Sequence, residues 1–415
     1  MAKAQNTYDS IVIGGGAAGM MAAVILGSRK KRVLLLEKNN KLGEKLRISG
    51  GGRCNILNAE EDTRELLSHF KEADKFLFST FSQFGMKETW DFFELHGLPL
   101  MVEDRKRAFP RSEDAEDVCE LFKRLLQENN VEVRKKMEVT RIIKKGKKIV
   151  EVVAGGEHFG AETFIFATGG TSHPETGSTG DGFNWLKEVG HTAKDPVPTI
   201  VPIKLAERWV KKLSGVELPD VKITFSQKKE KKFSIRGKIL ITHFGLSGPT
   251  ILNNAGKIQD LLYEGSVTGH IDLFPDLSLG DLHKKIFELF EEHKNKTVKN
   301  TFKEIFQDRL AEALAGQFPR LDEELQVNAV TKTQRIAIIE YLKKVPITVT
   351  ELMGEDRAVI ADGGVPLTEI DMREMRSKVV DNLFIVGDLL HINRPTGGYS
   401  LQLCWTTGYV AGMHA

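Results

Sequence analysis

The spacing of apolar residues changes several times along the chain, and each change marks an element. Ser10, Ile11, Val12 and Ile13 form a short, mostly apolar strand, Ala17 to Leu26 is a run of good helix formers, and Arg32-Val33-Leu34-Leu35-Leu36 is a second strand. Helical periodicity follows over Thr63 to Glu94 and over Ala115 to Asn129, where Leu121, Phe122, Leu125 and Leu126 share one face. Between them, Pro99 to Glu103 and Lys106 to Pro110 flank a turn-like break at Asp104-Arg105 and read as a hairpin. Glu132 to Ile143 and Ile149 to Val153 alternate apolar and polar residues about Lys144-Lys145-Gly146-Lys147-Lys148. That basic cluster reads as a solvated hairpin turn rather than a nucleic-acid contact.

Asp195-Pro196-Val197-Pro198-Thr199 is too rich in proline for a helix or a central strand and reads as a linker. Strand-like pieces follow at Ile200 to Leu205, Val221 to Ser226, Phe233 to Ile235 and Lys238 to Thr242, with Lys228-Lys229-Glu230-Lys231-Lys232 joining the middle pair, which is barrel or meander composition. Leu279 to Phe318 turns helical, with Leu282, Ile286, Leu289 and Phe290 on one face, before Pro346 to Thr350 returns as a strand.

Candidate chemistry begins where the first strand runs into Gly14-Gly15-Gly16-Ala17-Ala18-Gly19, which matches G-x-G-x-x-G at Gly14, Gly16 and Gly19. The first glycine permits a tight strand-to-helix turn, the second lets a pyrophosphate approach the backbone, and the third lets the helix pack on the sheet. The helix N-terminus then presents its dipole to the phosphates. The second strand ends in Glu37, 18 residues after Gly19 and close to the ~20 expected for a ribose-binding acid. A carboxylate there repels a 2′-phosphate, so the nucleotide is not NADP. Strand, glycines, helix, strand and acid together specify dinucleotide binding.

Three separated segments favour FAD. The fingerprint lies near the N-terminus, Thr163 to Gly170 is an apolar strand ending in a small-residue turn, and Asn382-Leu383-Phe384-Ile385-Val386-Gly387-Asp388 ends in a carboxylate suited to a ribityl chain. The chain also carries Leu42-Gly43-Glu44-Lys45-Leu46, Ser49-Gly50-Gly51-Gly52-Arg53-Cys54-Asn55, Ser178-Thr179-Gly180-Asp181-Gly182, Thr242-His243-Phe244-Gly245-Leu246-Ser247-Gly248-Pro249 and Pro395-Thr396-Gly397-Gly398-Tyr399. With these motifs, from about Asp9 to Gly412, it resembles the BaiN/YhiN-like family of bacterial FAD-dependent flavoproteins, which includes aminoacetone-oxidase-like members. The resemblance implies an α/β fold: a discontinuous, glutathione-reductase-like FAD-binding Rossmann domain interrupted by a β-barrel and a helical part, with the flavin ring facing the insertion.

Motif and resemblance together place the cofactor contacts at Gly14, Gly16, Ala17, Ala18, Gly19, Glu37, Lys38, Lys45, Gly51, Gly52, Arg53, Cys54, Asn55, Val139, Ala167, Thr168, Gly169, Asp181, Gly387, Asp388, Gly397, Gly398, Tyr399, Ser400 and Leu401. Where family members usually carry Gly-Glu and a further acid, this chain reads Gly387-Asp388-Leu389-Leu390-His391. Ser400 replaces a frequent Asn, and Ala361-Asp362-Gly363-Gly364-Val365 replaces Thr-x-Gly-Gly-Val. These departures leave FAD binding in place and put the family's particular substrates in doubt.

A chain of 415 residues is long enough for two or three domains. Because both ends must reach one FAD, the expected division is 1–195 with 355–415 for the FAD domain, 196–245 with 330–354 for the barrel, and 246–329 for a helical domain. A net charge of +2 with 28% charged residues gives no general attraction to nucleic acid. No apolar run approaches the ~20 residues of a membrane span, and no secretory h-region precedes the first strand, so a cytoplasmic location is the default. Cys54, Cys119 and Cys404 are far apart, without a C-x-x-C, which argues against a dithiol centre or structural zinc. Cys54, beside Arg53, is either packing or a thiolate favoured by the guanidinium.

There is no second G-x-G-x-x-G unit for a built-in NAD(P)H domain, so electrons come from a substrate, a visiting NAD(P)H or a separate reductase. For acid–base work the first candidates are His243 and Tyr399, with His173 and His391 behind them. Asp181 also reads as a helix N-cap for Phe183 to Val189. The functional expectation is an FAD-dependent oxidoreductase acting on a small or flat organic substrate by hydride transfer at flavin N5, either reducing an activated C=C bond or oxidising an amine. A flavin-dependent RNA-modifying protein and a flavin-binding regulator are the alternatives. No metal site is expected, and oligomeric state is left open.

Overall fold

The structure is a computed structural model that describes residues 7–227, 231–263, 265–319, 321–353 and 360–415. It falls into two compact units, Met1–Pro198 with Ala358–Ala415, and Thr199–Arg357.

The first unit is built on strand β1 (Thr7–Ile13), helix α1 (Ala17–Ser28) and strand β2 (Val33–Glu37). β1 pairs in parallel with β2 on one side, Ser10 opposite Val33, and with the strand Glu157–Phe166 on the other. Glu132–Lys135 extends the sheet beyond β2 and Leu383–Ile385 extends it beyond Phe166, both parallel, before two short antiparallel strands close that edge. Both faces are covered, which is why β1 and β2 read as continuous apolar runs rather than alternating ones. Helix α1 is apolar all round because it lies against the C-terminal helix Tyr399–His414. The two helices touch closely, since a Cβ on Gly408 would stand 2.4 Å from the Ala18 carbonyl oxygen.

Three readings of the sequence change here. Glu132 to Ile143 is not one strand: the chain turns at Lys136, whose φ is 57°, so Glu132–Lys135 joins the main sheet while Val139–Lys145 pairs with Lys148–Ala154 across Gly146. Thr63 to Glu94 divides into helices Thr63–Ser68, Asp74–Phe81 and Met86–Leu95. The last starts at Gly85, whose N–H bonds the Glu88 carboxylate at 3.0 Å. The proline-rich linker is a strand, Lys194–Ile200, paired among the described residues with Ile360–Gly364 alone, and a two-stranded ribbon tolerates proline where a central strand does not.

In the second unit six strands close a barrel in the order Ile203–Leu205, Gly245–Ser247, Lys231–Ile241, Glu217–Gln227, Val267–Asp272, Val345–Leu352. Lys231–Ile241 is one strand where the sequence suggested two, and Lys228-Lys229-Glu230, read as the connection before it, lies outside the described residues. Val267–Asp272 corrects the helical reading of 246–329: Val267 and Ile271 point into the barrel core of a six-residue strand that is too short to show a clear period. Helices Leu279–Glu292, Asp308–Ala315 and Lys332–Lys343 share that core with the strands, with Ile286 and Ile338 fully buried alongside Ile223 and Ile347. No helix among the described residues is long and apolar enough to cross a membrane.

Candidate functional site

The C-terminal ends of the parallel strands in the first unit surround a cavity of about 390 Å³, reached by Ile13, Leu36, Ala167 and Val386. This is where ligands bind in open parallel sheets. Gly14 sits at φ 105°, and a Cβ there would meet the Ala167 carbonyl oxygen at 2.5 Å. Gly16 has nothing within 4 Å of where its Cβ would be, so its bare backbone opens on the cavity. Helix α1 begins at the next residue with no side-chain cap and no acid in its first turn. Its leading N–H groups are therefore left for an anion.

At one end of the cavity the buried Glu37 carboxylate is fixed by two backbone donors, Gly15 N–H to Oε2 and Asn39 N–H to Oε1, each at 2.7 Å. Each oxygen keeps a lone pair for a hydroxyl. Lys38 Nζ donates to Asp181 Oδ2 at 2.8 Å and Thr179 Oγ1 at 2.5 Å. Burial alone would raise the Asp181 carboxyl, but Lys38 and Thr179 hold it below the usual range. Asp181 is the first helical residue after Gly180 and makes no N-cap bond, which corrects the capping role read from sequence.

Towards the other end, Lys45 on helix α2 (Glu44–Ile48) donates to Ser172 Oγ at 3.1 Å, and burial lowers its ammonium pKa. Asp388 is ion-paired with Arg394, which is buried and also donates to Ser400 Oγ at 3.0 Å and the Ile392 carbonyl at 2.8 Å. Thr168 Oγ1 is buried with no hydrogen-bond partner among the described residues, a donor left for a ligand.

Of the expected contacts, Gly14, Gly16, Ala17, Ala18, Glu37, Lys38, Lys45, Gly51, Val139, Ala167, Thr168, Gly169, Asp181, Gly387, Asp388, Ser400 and Leu401 line this cavity. Gly19 is beside it, and a Cβ there would come within 1.9 Å of the Gly14 oxygen, so its task is helix packing. Gly52, Arg53, Cys54, Asn55, Gly397, Gly398 and Tyr399 are not in the wall. Arg53, expected as a cofactor contact, is instead bound to Glu103 and Glu113, 2.6 Å each, and lies 4.3 Å over the Phe109 ring. With that guanidinium occupied, Cys54 is buried and burial pushes its thiol up to about 12, which favours packing over a thiolate.

Asn55, oriented to satisfy its neighbours, donates to the Leu57 and Ala108 carbonyls and accepts from Gly398 N–H at 3.0 Å. Gly397, at φ 120°, gives its carbonyl to Asn58 Nδ2 at 3.0 Å. Tyr399 packs on His69 and Phe70 and its phenol is pushed up to about 12 by burial, which makes it a poor proton source for the cavity. His243 is exposed in the second unit, between the strands Lys231–Ile241 and Gly245–Ser247, with its ring edge-on to Phe244.

Sequence reasoning missed Asn39, Met137, Thr176, Gly177, Trp185 and Cys404 as wall residues, and Arg394 behind it. The repeated Gly and Thr of the 176–180 segment were a usable signal, since Asn39 Nδ2 bonds the Thr176 carbonyl at 2.9 Å and closes that segment over the nucleotide end.

Residues 8–414 match the family model described as the HI0933-like protein Rossmann domain. The chain belongs to this family. The HI0933-like chain is 29% identical over 385 residues to the 3-dehydro-bile acid delta(4,6)-reductase of Clostridium scindens, covering 91% of each chain. It is 28% identical over 410 residues to the ribosomal RNA dihydrouridine synthase of Escherichia coli, covering 97% of this chain and 96% of that one. Among solved structures it superposes on 3-ketosteroid delta1-dehydrogenase from Sterolibacterium denitrificans with a TM-score of 0.57 at 14% identity, covering 99% of each. A flavocytochrome c3 fumarate reductase gives 0.56 at 16% identity, covering 98% of this chain and 78% of that one. These structures share the fold.

The HI0933-like protein binds FAD and is an FAD-dependent oxidoreductase. Its cavity fits that cofactor: an uncapped helix start with an open glycine for the pyrophosphate, a fixed carboxylate for ribose, and an unpartnered threonine hydroxyl.

Proposed function

We propose that this protein reduces a carbon–carbon double bond conjugated to a carbonyl, in a small or flat substrate. The observation that carries the reading is that relatives aligned over nine-tenths of the chain are named for such a reduction on two unlike molecules, a bile acid dienone and the uracil ring of uridine. A chemistry shared by both is a property of the flavin site, whereas substrate is set by what surrounds it. When bound in its reduced form, FAD supplies two electrons and one hydrogen as hydride.

The chain's own residues bind and orient the cofactor. Gly14 to Ala18 and the start of α1 take the pyrophosphate, and Glu37 holds the adenosine ribose. The Asp388–Arg394 pair presents a carboxylate to the ribityl hydroxyls with its charge balanced, and Lys45, whose ammonium pKa burial lowers, lines the same wall. No second dinucleotide fingerprint is present in the sequence, so the electrons arrive from a nicotinamide that visits the flavin or from a separate reductase.

A second reading, uridine in RNA as the substrate, is favoured by the Escherichia coli relative that spans almost the whole chain. Both are tested by reducing the holoprotein anaerobically and mixing it with a 3-oxo-4-ene steroid, a uridine-containing RNA fragment or an isolated alkene. Rapid return of oxidised flavin with either of the first two, and not with the alkene, is expected. Bleaching of oxidised holoprotein by amines, with no response of the reduced form to either conjugated probe, would contradict the proposal.

A further inference from the structure

We infer that His191 is a proton-sensitive latch: with Glu369 and Ser377 it locks the far end of a helix that walls the FAD cavity, and acid opens it. The inference concerns cofactor retention and is independent of the substrate.

The helix is Asp181–Val189, whose first residue and Trp185 line the cavity. It ends at Gly190, with φ 111°, and the chain turns into His191 and Thr192. The His191 side chain has no exposed surface. Its Nδ1 is 2.6 Å from Glu369 Oε2 and its Nε2 is 2.8 Å from Ser377 Oγ. Ser377 lies in the short strand Arg376–Ser377, and Glu369 ends the turn before Ile370–Asp371, the strand paired with it. Thr192 reaches the same carboxylate through its N–H, at 3.2 Å to Oε2, and through its hydroxyl.

A serine, a histidine and a carboxylate joined in this order resemble a nucleophilic triad, but this hydroxyl is not free to attack. Ser377 is 4% exposed, neither it nor His191 lines the cofactor cavity, and both lone pairs of its oxygen are taken, by Val379 N–H at 3.0 Å and Val380 N–H at 2.8 Å. The consequence is a fixed tautomer. The hydroxyl hydrogen is given to His191 Nε2, so that nitrogen is unprotonated and Nδ1–H donates to Glu369. A second proton on the ring would set Nε2–H against Ser377 O–H, with no lone pair to receive it. One of the bonds to Ser377 must then break.

The surrounding charges favour the neutral ring. Burial lowers the His191 imidazolium below its ordinary range and outweighs Glu369, which raises it, while Lys144 on the strand Val139–Lys145 lowers it further. Lys144 Nζ bonds the Val189 carbonyl at 2.6 Å, beside the turn that carries the ring. Burial raises the Glu369 carboxyl, yet the bonds from Thr192 and His191 hold it below the usual range. The other charges on these elements are engaged elsewhere or exposed: Lys378 bonds the Thr368 carbonyl at 3.0 Å, Arg376 pairs with Glu374 at 2.9 Å, Asp371 accepts from Arg373 N–H at 3.0 Å, Lys187 pairs with Asp195, and Glu188 and Asp381 face solvent.

The sign follows. The folded chain holds the ring neutral, whereas an opened segment takes a proton near pH ~6.5 as an exposed histidine does, so opening is suppressed above that pH and grows as the pH falls below it. Because the helix begins in the cavity wall, where Lys38 holds Asp181, bound FAD keeps it closed, and protons and FAD oppose one another through it.

Amide hydrogen exchange of the full chain, read on peptides with and without FAD and corrected for the intrinsic effect of pH, tests the latch. Gly190 N–H and His191 N–H bond the Lys187 and Leu186 carbonyls at 3.1 and 2.9 Å, so exchange over 186–193 reports the helix end. Between about pH 6.5 and 5 its protection should fall by up to about tenfold per pH unit, while that of Val33–Glu37 in the main sheet holds steady. FAD should raise protection over 186–193. His191→Gln, which keeps a donor and an acceptor but does not titrate, should flatten the profile. A pH-independent profile in the parent, a fall shared equally by Val33–Glu37, a helix end indifferent to FAD, or an unchanged slope in His191→Gln would each overturn the proposal. If that variant does not fold, the two peptides of the parent decide the matter by themselves.

Discussion

Two glycine-rich corners of the first unit look alike in the sequence and do opposite work. Gly14 to Gly19 and the pair Gly397-Gly398 each introduce a helix, and each includes positive φ. At the first corner the side of Gly16 is open, with no atom within 4 Å, and the helix start faces the cavity. At the second, a Cβ on Gly398 would lie 2.3 Å from the Leu57 carbonyl carbon, and the glycine is there so that one stretch of chain can cross another. The lesson is that a missing side chain makes room, and only the tertiary neighbours decide whether ligand or backbone fills it.

The largest effect that sharpens the comparison is expected at Gly14, where both demands meet. Gly14→Ala combines a left-handed φ with a 2.5 Å approach to Ala167, and should cost about 2–6 kcal/mol of stability from strain and overpacking together. Chemical denaturation should show the loss, and flavin should be absent from the purified protein. A variant that melts like the parent with FAD bound would show that the turn has slack the structure does not display.

Next comes Glu37, the ligand-side anchor. Glu37→Gln keeps one acceptor but removes the charge held by Gly15 and Asn39, and should weaken FAD by about 1–3 kcal/mol, roughly 5- to 150-fold in Kd. Equilibrium dialysis of the apoprotein measures it, and an unchanged Kd would remove Glu37 from the ribose site.

The smallest effect contrasts two thiols, Cys54 in the packed corner and Cys404 in the cavity wall, both pushed up to about 12 by burial. With their pKa values raised, few of these thiols are ionised at pH 8, and labelling should rise with pH as the thiolate grows in. In apoprotein held at alkaline pH, an alkylating reagent should modify Cys404 slowly and Cys54 not at all, and FAD should protect Cys404. Mass spectrometry of the peptides reads both, and labelling of Cys54 ahead of Cys404 would reverse the roles of the two corners.

The nucleotide-binding half of this picture was legible from residues alone because its requirements are local: strand, turn, helix start and acid lie within Ser10 to Glu37. The cavity's far wall was legible only in pieces, since Asp388 was visible but Arg394, which balances its charge, carries no period or motif. Arg53 misled for the converse reason. A guanidinium after three glycines reads as a cofactor contact until Glu103 and Glu113, 50 and 60 positions away, are seen to hold it. The break at Lys136 was likewise hidden, because alternation continues across it while the two halves pair with different strands.

The central claim, that the first corner is spaced for FAD and the second for the chain itself, is tested most directly by a crossed measurement on Gly16→Ala and Gly398→Ala. For each variant, the melting of the apoprotein and its titration with FAD by flavin fluorescence quenching are read on one preparation. Gly16→Ala, whose φ of −83° suits alanine, should melt within about 0.5 kcal/mol of the parent and bind FAD at least tenfold more weakly. Gly398→Ala should lose about 2–6 kcal/mol of stability, while the fraction that folds binds FAD with the parent's affinity. The opposite pattern, a Gly16 variant that binds normally and a Gly398 variant that is stable but flavin-free, would contradict the account.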